Sequence, residues 1–136
     1  MELRSSMAAI TQTEIVRSLI GLFEALDVES AMTYFTEDAL CRFGNYPPAV
    51  GKAAIASLIE VSQLIQLVRA SFNINEIWEI DDAVICQVET IHLCDRGKAI
   101  ALPCAIVFRM EDDLVREMRV YIDSSPLDEK GAGCKV

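Results

Sequence analysis

"ASFNINEIWEIDDAVICQVETIHL", residues 70–93, decides the fold. In its first half Phe72, Ile74, Glu76, Trp78 and Ile80 alternate with Asn73, Asn75, Ile77 and Glu79, the two-residue period of a strand lying on a core. Asp81 and Asp82 interrupt the run, and "AVICQVETIHL" (83–93) resumes as a second strand. A short acidic join between two such runs reads as a hairpin turn. The device recurs downstream: "KAIALPCAIVFRM" (98–110) follows "DRG", and "LVREMRVYID" (114–123) follows "EDD". The second half of the chain is therefore predicted to be an antiparallel meander. Its later strands are apolar on both faces, so both faces need a cover.

Upstream the period becomes helical. Thr11 or Thr13 offers an N-cap, after which Ile15, Leu19, Leu22, Phe23 and Leu26 share one face. Asp27 ends that helix and can cap a second, "VESAMTYFTED" (28–38), expected to bury Met32 and Phe35. "ALCRF" (39–43) is a short strand candidate. A third helix is expected from about Lys52 to Val68, burying Ile55, Leu58, Ile59, Ser62, Ile65 and Val68. Between strand and helix lies "RFGNYPPAVGKAAI" (42–55), with Arg42, Asn45, Tyr46 and two prolines at one corner. That corner is either structural or the mouth of a small-molecule site. Helices followed by a long antiparallel sheet make an α+β domain. The helices would cover one sheet face, a second subunit the other, and a ligand could lie between helices and sheet.

The 136 residues fit one domain, and the 52% hydrophobic content needs a cavity or an interface in addition to a core. A formal net charge of −9 with no clustered Lys and Arg argues against nucleic acid as a partner. Apolar stretches are broken by charge well short of a membrane span. Residues 1–19 show neither an apolar h-region nor a cleavage signal, so a cytoplasmic protein is expected. Five cysteines (41, 86, 94, 104 and 134) lack any C-x-x-C spacing, and three lie in apolar strands, which reads as reduced, buried thiols. With His92 the only histidine, no metal site is expected.

The order of elements, with "NYPPAVGKAAI" after the first strand and "RVYIDSSPL" at the last, resembles the nuclear transport factor 2-like superfamily, and within it the SnoaL-like proteins and limonene epoxide hydrolase. The similarity runs over residues 11–127 as a single SnoaL-like domain, leaving 1–10 as a flexible N-terminus and 128–136 as a flexible tail. It implies about three N-terminal helices packed on a curved, mainly antiparallel sheet, a cone-shaped pocket and a homodimer. Members of the superfamily include isomerases, cyclases, hydrolases, dehydratases and non-catalytic binding proteins. Limonene epoxide hydrolase uses an aspartate–arginine–aspartate set, with a tyrosine and an asparagine holding the water. A gapless match puts Glu89 at the acid aspartate, Gln87 at the arginine and Val120 at the base-side aspartate. Asn45 matches the water-holding asparagine, and Phe43 replaces the tyrosine. The proton-shuttling aspartate of ketosteroid isomerase would fall near Phe43, and its oxyanion-holding acid near Ile106. Water activation in the family's manner is thus expected to be crippled.

The resemblance implies a cofactor-independent enzyme of isomerase or cyclase type acting on a hydrophobic small molecule. The alternatives are a non-catalytic binding or dimeric interaction module and an epoxide hydrolase with altered residues. Glu89 is the candidate acid or base, since a carboxyl in an apolar pocket has a raised pKa; it could equally be an interface glutamate. Gln87 and Asn45 would orient substrate or water, and Phe43, Tyr46, Trp78, Ile91, Met118 and Val120 would form the wall. By strand parity His92 faces away from Glu89, with Cys86, Val88 and Thr90, and is structural, interfacial or catalytic. Asp123, before Ser-Ser-Pro, reads as a turn stabiliser or a site residue. Arg42 could pair with a carboxylate.

Overall fold

The computed structural model describes residues 11–64, 70–93 and 97–128. Residues 1–10, Ile65, Val68, Cys94, Cys134 and all of the expected tail except Asp128 fall outside them. Helix α1 (Gln12–Glu24) opens with a capping box. Thr11 accepts from the Glu14 amide at 3.1 Å, and Glu14 accepts from the Thr11 amide at 3.0 Å. The cap is Thr11, which releases Thr13 for another task. The Thr13 hydroxyl donates to Glu79 at 2.8 Å and the Gln12 amide to the same carboxylate at 3.2 Å, tying the start of α1 to the sheet. From there Ile15, Val16, Leu19, Ile20 and Phe23 are buried.

Asp27 caps α2 (Val28–Met32) through the Ser30 amide at 3.1 Å. The helix stops at Met32, well short of residue 38. Phe35 is fully buried, but as the first residue of strand β1 (Phe35–Phe43), which is longer than "ALCRF". The phenylalanines, β-branched Thr36 and apolar alternation through Cys41 favour a strand over more helix. A two-residue strand β2 (Ala49–Val50) pairs with β1 before Gly51, whose φ of +92° makes the sharp turn into α3 (Lys52–Leu64).

The meander is as expected: β3 (Ala70–Ile80), β4 (Ala83–Leu93), β5 (Ala99–Glu111) and β6 (Leu114–Ile122) pair antiparallel in succession. Asp81 and Asp112 hold positive φ in the two acidic turns, a conformation Asp tolerates better than most residues. Asp82 also accepts from Arg109 and Arg116, each at 3.1 Å. The six strands are ordered β2-β1-β6-β5-β4-β3, and β1 runs parallel to β6, so the curled, unclosed sheet is mixed. The helices cover one face, where Val84, Val88, Ile106, Phe108 and Val115 are buried against Val16, Leu19 and Ile55.

A bulge at Asn75, between the Ile74–Val88 and Glu76–Gln87 pairs, resets the parity of β3. Before it Phe72 and Ile74 face the helices; after it Ile77 and Glu79 do, and Trp78 turns outward. That reset is what lets Glu79 reach α1. The Glu79 pKa is lowered by the Thr13 and then the Gln12 hydrogen bonds, so its stabilising contribution is present above the ordinary carboxylate value of 4.5 and fades as pH falls through the lowered one. Glu79→Gln is therefore expected to lower the melting temperature at pH 7, with the gap from the parent closing on acidification. Thermal unfolding from pH 7 to 3 checks it.

Candidate functional site

Between α1, α3 and the end of the sheet lies a cavity of about 40 Å³. Phe23, Leu58 and Ile59 roof it from the helices, and Cys41 and Phe43 enter from β1. Cys104 and Ile106 from β5 and Met118, Val120 and Ile122 from β6 form the floor, with Phe72 closing the β3 side. The strand residues alternate through β5 and β6 because every second side chain faces the helices. The volume suits a few waters, whereas pockets for drug-sized ligands run to roughly 300–1,000 Å³. A larger ligand has to displace wall side chains, and Met118, unbranched and flexible, is the most adaptable of them.

One polar side chain belongs to this wall. Thr90 is buried, and its Oγ1 lies 2.9 Å from Nε2 of the buried His92, with a longer contact of 3.4 Å to the Leu102 carbonyl. Which partner donates between Thr90 and His92 depends on the imidazole tautomer. Thr90 is a site residue that the sequence reading does not single out. Its signal was present, as Thr90 and His92 are the polar members of the Cys86–Val88–Thr90–His92 face.

Glu89 and Gln87 require a correction. They lie on the outer sheet face, with Asn75, Pro103 and Tyr121 around an open groove of about 450 Å³, and neither enters the cavity. The physical reason is the pleat: Val88 and Thr90 turn toward the helices, so the residues between them turn away. Of the expected wall, Phe43, Met118 and Val120 line the cavity, whereas Tyr46, Trp78 and Ile91 do not. Tyr46 is exposed and stacks on Phe43 at 6.3 Å between ring centroids. Trp78 pairs with Ile85 on the outer face because of the bulge, and Ile91 shares the outward parity of Glu89. Asn45 sits in a separate shallow notch with Arg42, Arg119 and Tyr121. Arg42 donates to the Tyr46 carbonyl at 3.1 Å, bracing the corner. Asp123 is exposed and accepts from the Ser125 amide at 3.1 Å, which with the Ser125 hydroxyl lowers its pKa; it stabilises the turn. Among the described residues no group of His, Cys, Asp and Glu is arranged to hold a metal ion, and no helix is long and apolar enough to cross a membrane.

A cone of helices on a curled sheet, enclosing an apolar cavity, defines the class as nuclear transport factor 2-like. Within that class the chain belongs to the SnoaL-like domain family, whose model matches residues 16–118. Its fold is similar to that of a hypothetical protein with a ketosteroid isomerase-like fold from Catenulispora acidiphila, solved in complex with trimethylamine (16% identity, TM-score 0.77, 91% of this chain and 97% of the other). It is also similar to TerC co-crystallized with polyporic acid (16%, 0.74, 85% and 93%). A third likeness is to SalBIII, an epoxide hydrolase/cyclase-like enzyme in salinomycin pyran ring formation (17%, 0.71, 84% and 92%). No curated protein matches the sequence.

Burial in this low-polarity wall pushes the Cys41 and Cys104 thiols up to about 12, and that of Cys86 beside them up to about 11. The thiolate is the reactive form, so these three buried cysteines are inert. Iodoacetamide at pH 8 is expected to leave Cys41, Cys86 and Cys104 unmodified in the native protein and to alkylate all three in denaturant, as read by peptide mass mapping.

Proposed function

We propose that the protein binds a hydrophobic small molecule in the cone, with the aliphatic and aromatic groups against Phe43, Met118 and Val120 and one polar atom on Thr90. The observation that carries this reading is a cavity wall that is apolar except for Thr90. Such a lining favours an apolar ligand through desolvation, and its one hydroxyl favours orienting a carbonyl or hydroxyl group. The absence of Glu89 and Gln87 from this wall weighs for binding over the acid–base chemistry expected of them.

A second reading is an isomerase- or cyclase-type enzyme, and the buried Thr90–His92 contact favours it. An imidazole 2.9 Å from a hydroxyl that lines the cavity could relay a proton to or from a bound substrate through that hydroxyl. Likeness to the epoxide hydrolase/cyclase-like SalBIII supports it at the level of the fold. We further propose a homodimer through the outer sheet face, where Trp78, Leu93 and Tyr121 are exposed.

Native mass spectrometry of the protein from its source should show a co-purified apolar molecule, which Val120→Trp, filling the cavity, should expel without unfolding the chain. Thr90→Val is expected to weaken that complex about tenfold, the scale of one hydrogen bond. A ligand retained in full by both variants overturns the cavity as its site. If the ligand is turned over, His92→Gln should abolish turnover with retained binding; full activity in that variant leaves the binding reading alone.

A further inference from the structure

A threonine hydroxyl carries one proton and two lone pairs. At Thr90 two groups among the described residues compete for that proton. Nε2 of His92, two residues along the same face of β4, lies 2.9 Å from Oγ1, and the carbonyl of Leu102, the facing residue on β5, lies at 3.4 Å. With Nε2 bare, the hydroxyl donates to the imidazole and keeps both lone pairs. With Nε2 protonated, the ring donates to Oγ1, the Thr90 proton turns to the Leu102 carbonyl, and one lone pair is left over. Both tautomers commit the proton inside the protein and leave Oγ1 an acceptor toward the cavity, whatever Nδ1 of His92 meets.

Among the described residues no other wall side chain offers a strong donor. The rest are aliphatic or aromatic apart from three sulfurs: the Cys41 and Cys104 thiols are weak donors, and the Met118 thioether is a weak acceptor. No charged side chain among them lines the cavity, so an ammonium or a carboxylate would be buried there without a counter-charge. A ligand carbonyl or ether oxygen gives up its water on entry. It regains a hydrogen bond only where His92 is protonated on Nε2 and Thr90 releases Leu102. A ligand O–H or N–H is met by Oγ1 in either tautomer.

Resting on the proposal that the cone holds a small molecule against Thr90, we infer that this ligand is an uncharged hydrogen-bond donor, an alcohol, a phenol or an N–H compound. Carbonyl and ether analogues of the same shape are disfavoured. His92 is here a positioning residue: it does not line the cavity, but it fixes which way the Thr90 hydroxyl points.

Cyclohexanol and cyclohexanone, nearly equal in shape, test the assignment by protein-observed NMR titration. The ratio of the ketone to the alcohol dissociation constant is expected to be about tenfold larger in the parent than in Thr90→Val, the scale of one hydrogen bond. Comparing that ratio between proteins cancels the different cost of desolvating the two probes. Thr90→Ser keeps the hydroxyl and should keep the ratio. His92→Leu removes the nearer partner of the hydroxyl and should move the ratio toward the ketone. Circular dichroism checks folding, and if Thr90→Val does not fold, His92→Leu against Thr90→Ser decides. A ratio that the folded variants leave unmoved, or move toward the alcohol, overturns the donor assignment and leaves the cone as the binding site. Failure of both probes to bind the parent, or binding that survives Val120→Trp, overturns the cone reading itself and the donor assignment with it.

Discussion

The parallel ladder between β1 and β6 joins two halves of the chain with different rules of assembly. The meander β3 to β6 is built from local hairpins, each closed by a short turn, and needs nothing upstream to pair its strands. The helices have no such local partner. They are held over the sheet because β1, which lies between α2 and α3, is laid beside the last strand, from Leu40–Glu117 to Phe43–Val120. Main-chain bonds extend the junction at both ends: the Val115 amide donates to Tyr34 at 2.7 Å and the Gly44 amide to Val120 at 2.9 Å. This contact spans most of the sequence, so its closure costs entropy that only the burial of the helix faces can offset. It also puts Phe43 beside Val120 and so creates the cavity end of the cone.

The architecture was legible in the sequence because its signals are periodic and redundant. Four strand-period runs with acidic turns specify the meander, and the i, i+4 apolar spacing of Ile15, Leu19 and Phe23 specifies α1. Two features were hidden. The early end of α2 depends on Phe35 finding a wholly buried place in a sheet, a tertiary preference that local spacing cannot express. The bulge at Asn75 is one extra residue in an otherwise regular strand, yet it moves Trp78 from the inner face to the outer.

The site was legible only in part, for a related reason. Alternation identifies two faces of β4 but not which of them meets the helices, because both carry aliphatic residues: Val84 and Val88 on one, Ile85 and Ile91 on the other. The resemblance puts Phe43, Met118 and Val120 in the wall, and their alternation with the charged Arg42 and Arg119 agrees with it. In β4 a buried threonine and histidine lie on one face and an amide and a carboxylate on the other, and polarity alone points to the wrong side. Burial decides it. An ionised carboxylate under α1 would have needed a partner that the Phe23, Leu58 and Ile59 roof does not offer, whereas the Thr90 hydroxyl meets the His92 imidazole at 2.9 Å.

β4 and β5 are therefore a shared wall, with the cavity on one side and the charged, grooved face on the other. Their inward residues, Thr90, Cys104 and Ile106, touch the cavity, and the residues between them, Glu89, Pro103 and Ala105, border the outer groove. Because a pleated strand cannot shift one face without moving the other, a ligand large enough to enlarge a 40 Å³ cavity must press on this wall or lift the helices. The sheet is a continuous ladder of hydrogen bonds from β3 to β6, while the roof is held by side-chain packing and side-chain hydrogen bonds such as those of Glu79 and of Glu24 to the Phe72 amide. Packing against an exposed helix gives way before a four-strand ladder does. Entry is accordingly expected through displacement of Leu58, Phe43 and Met118 at the β1–α3 side, with the wall held fixed, and any contact that stiffens the outer face reinforces that division of labour.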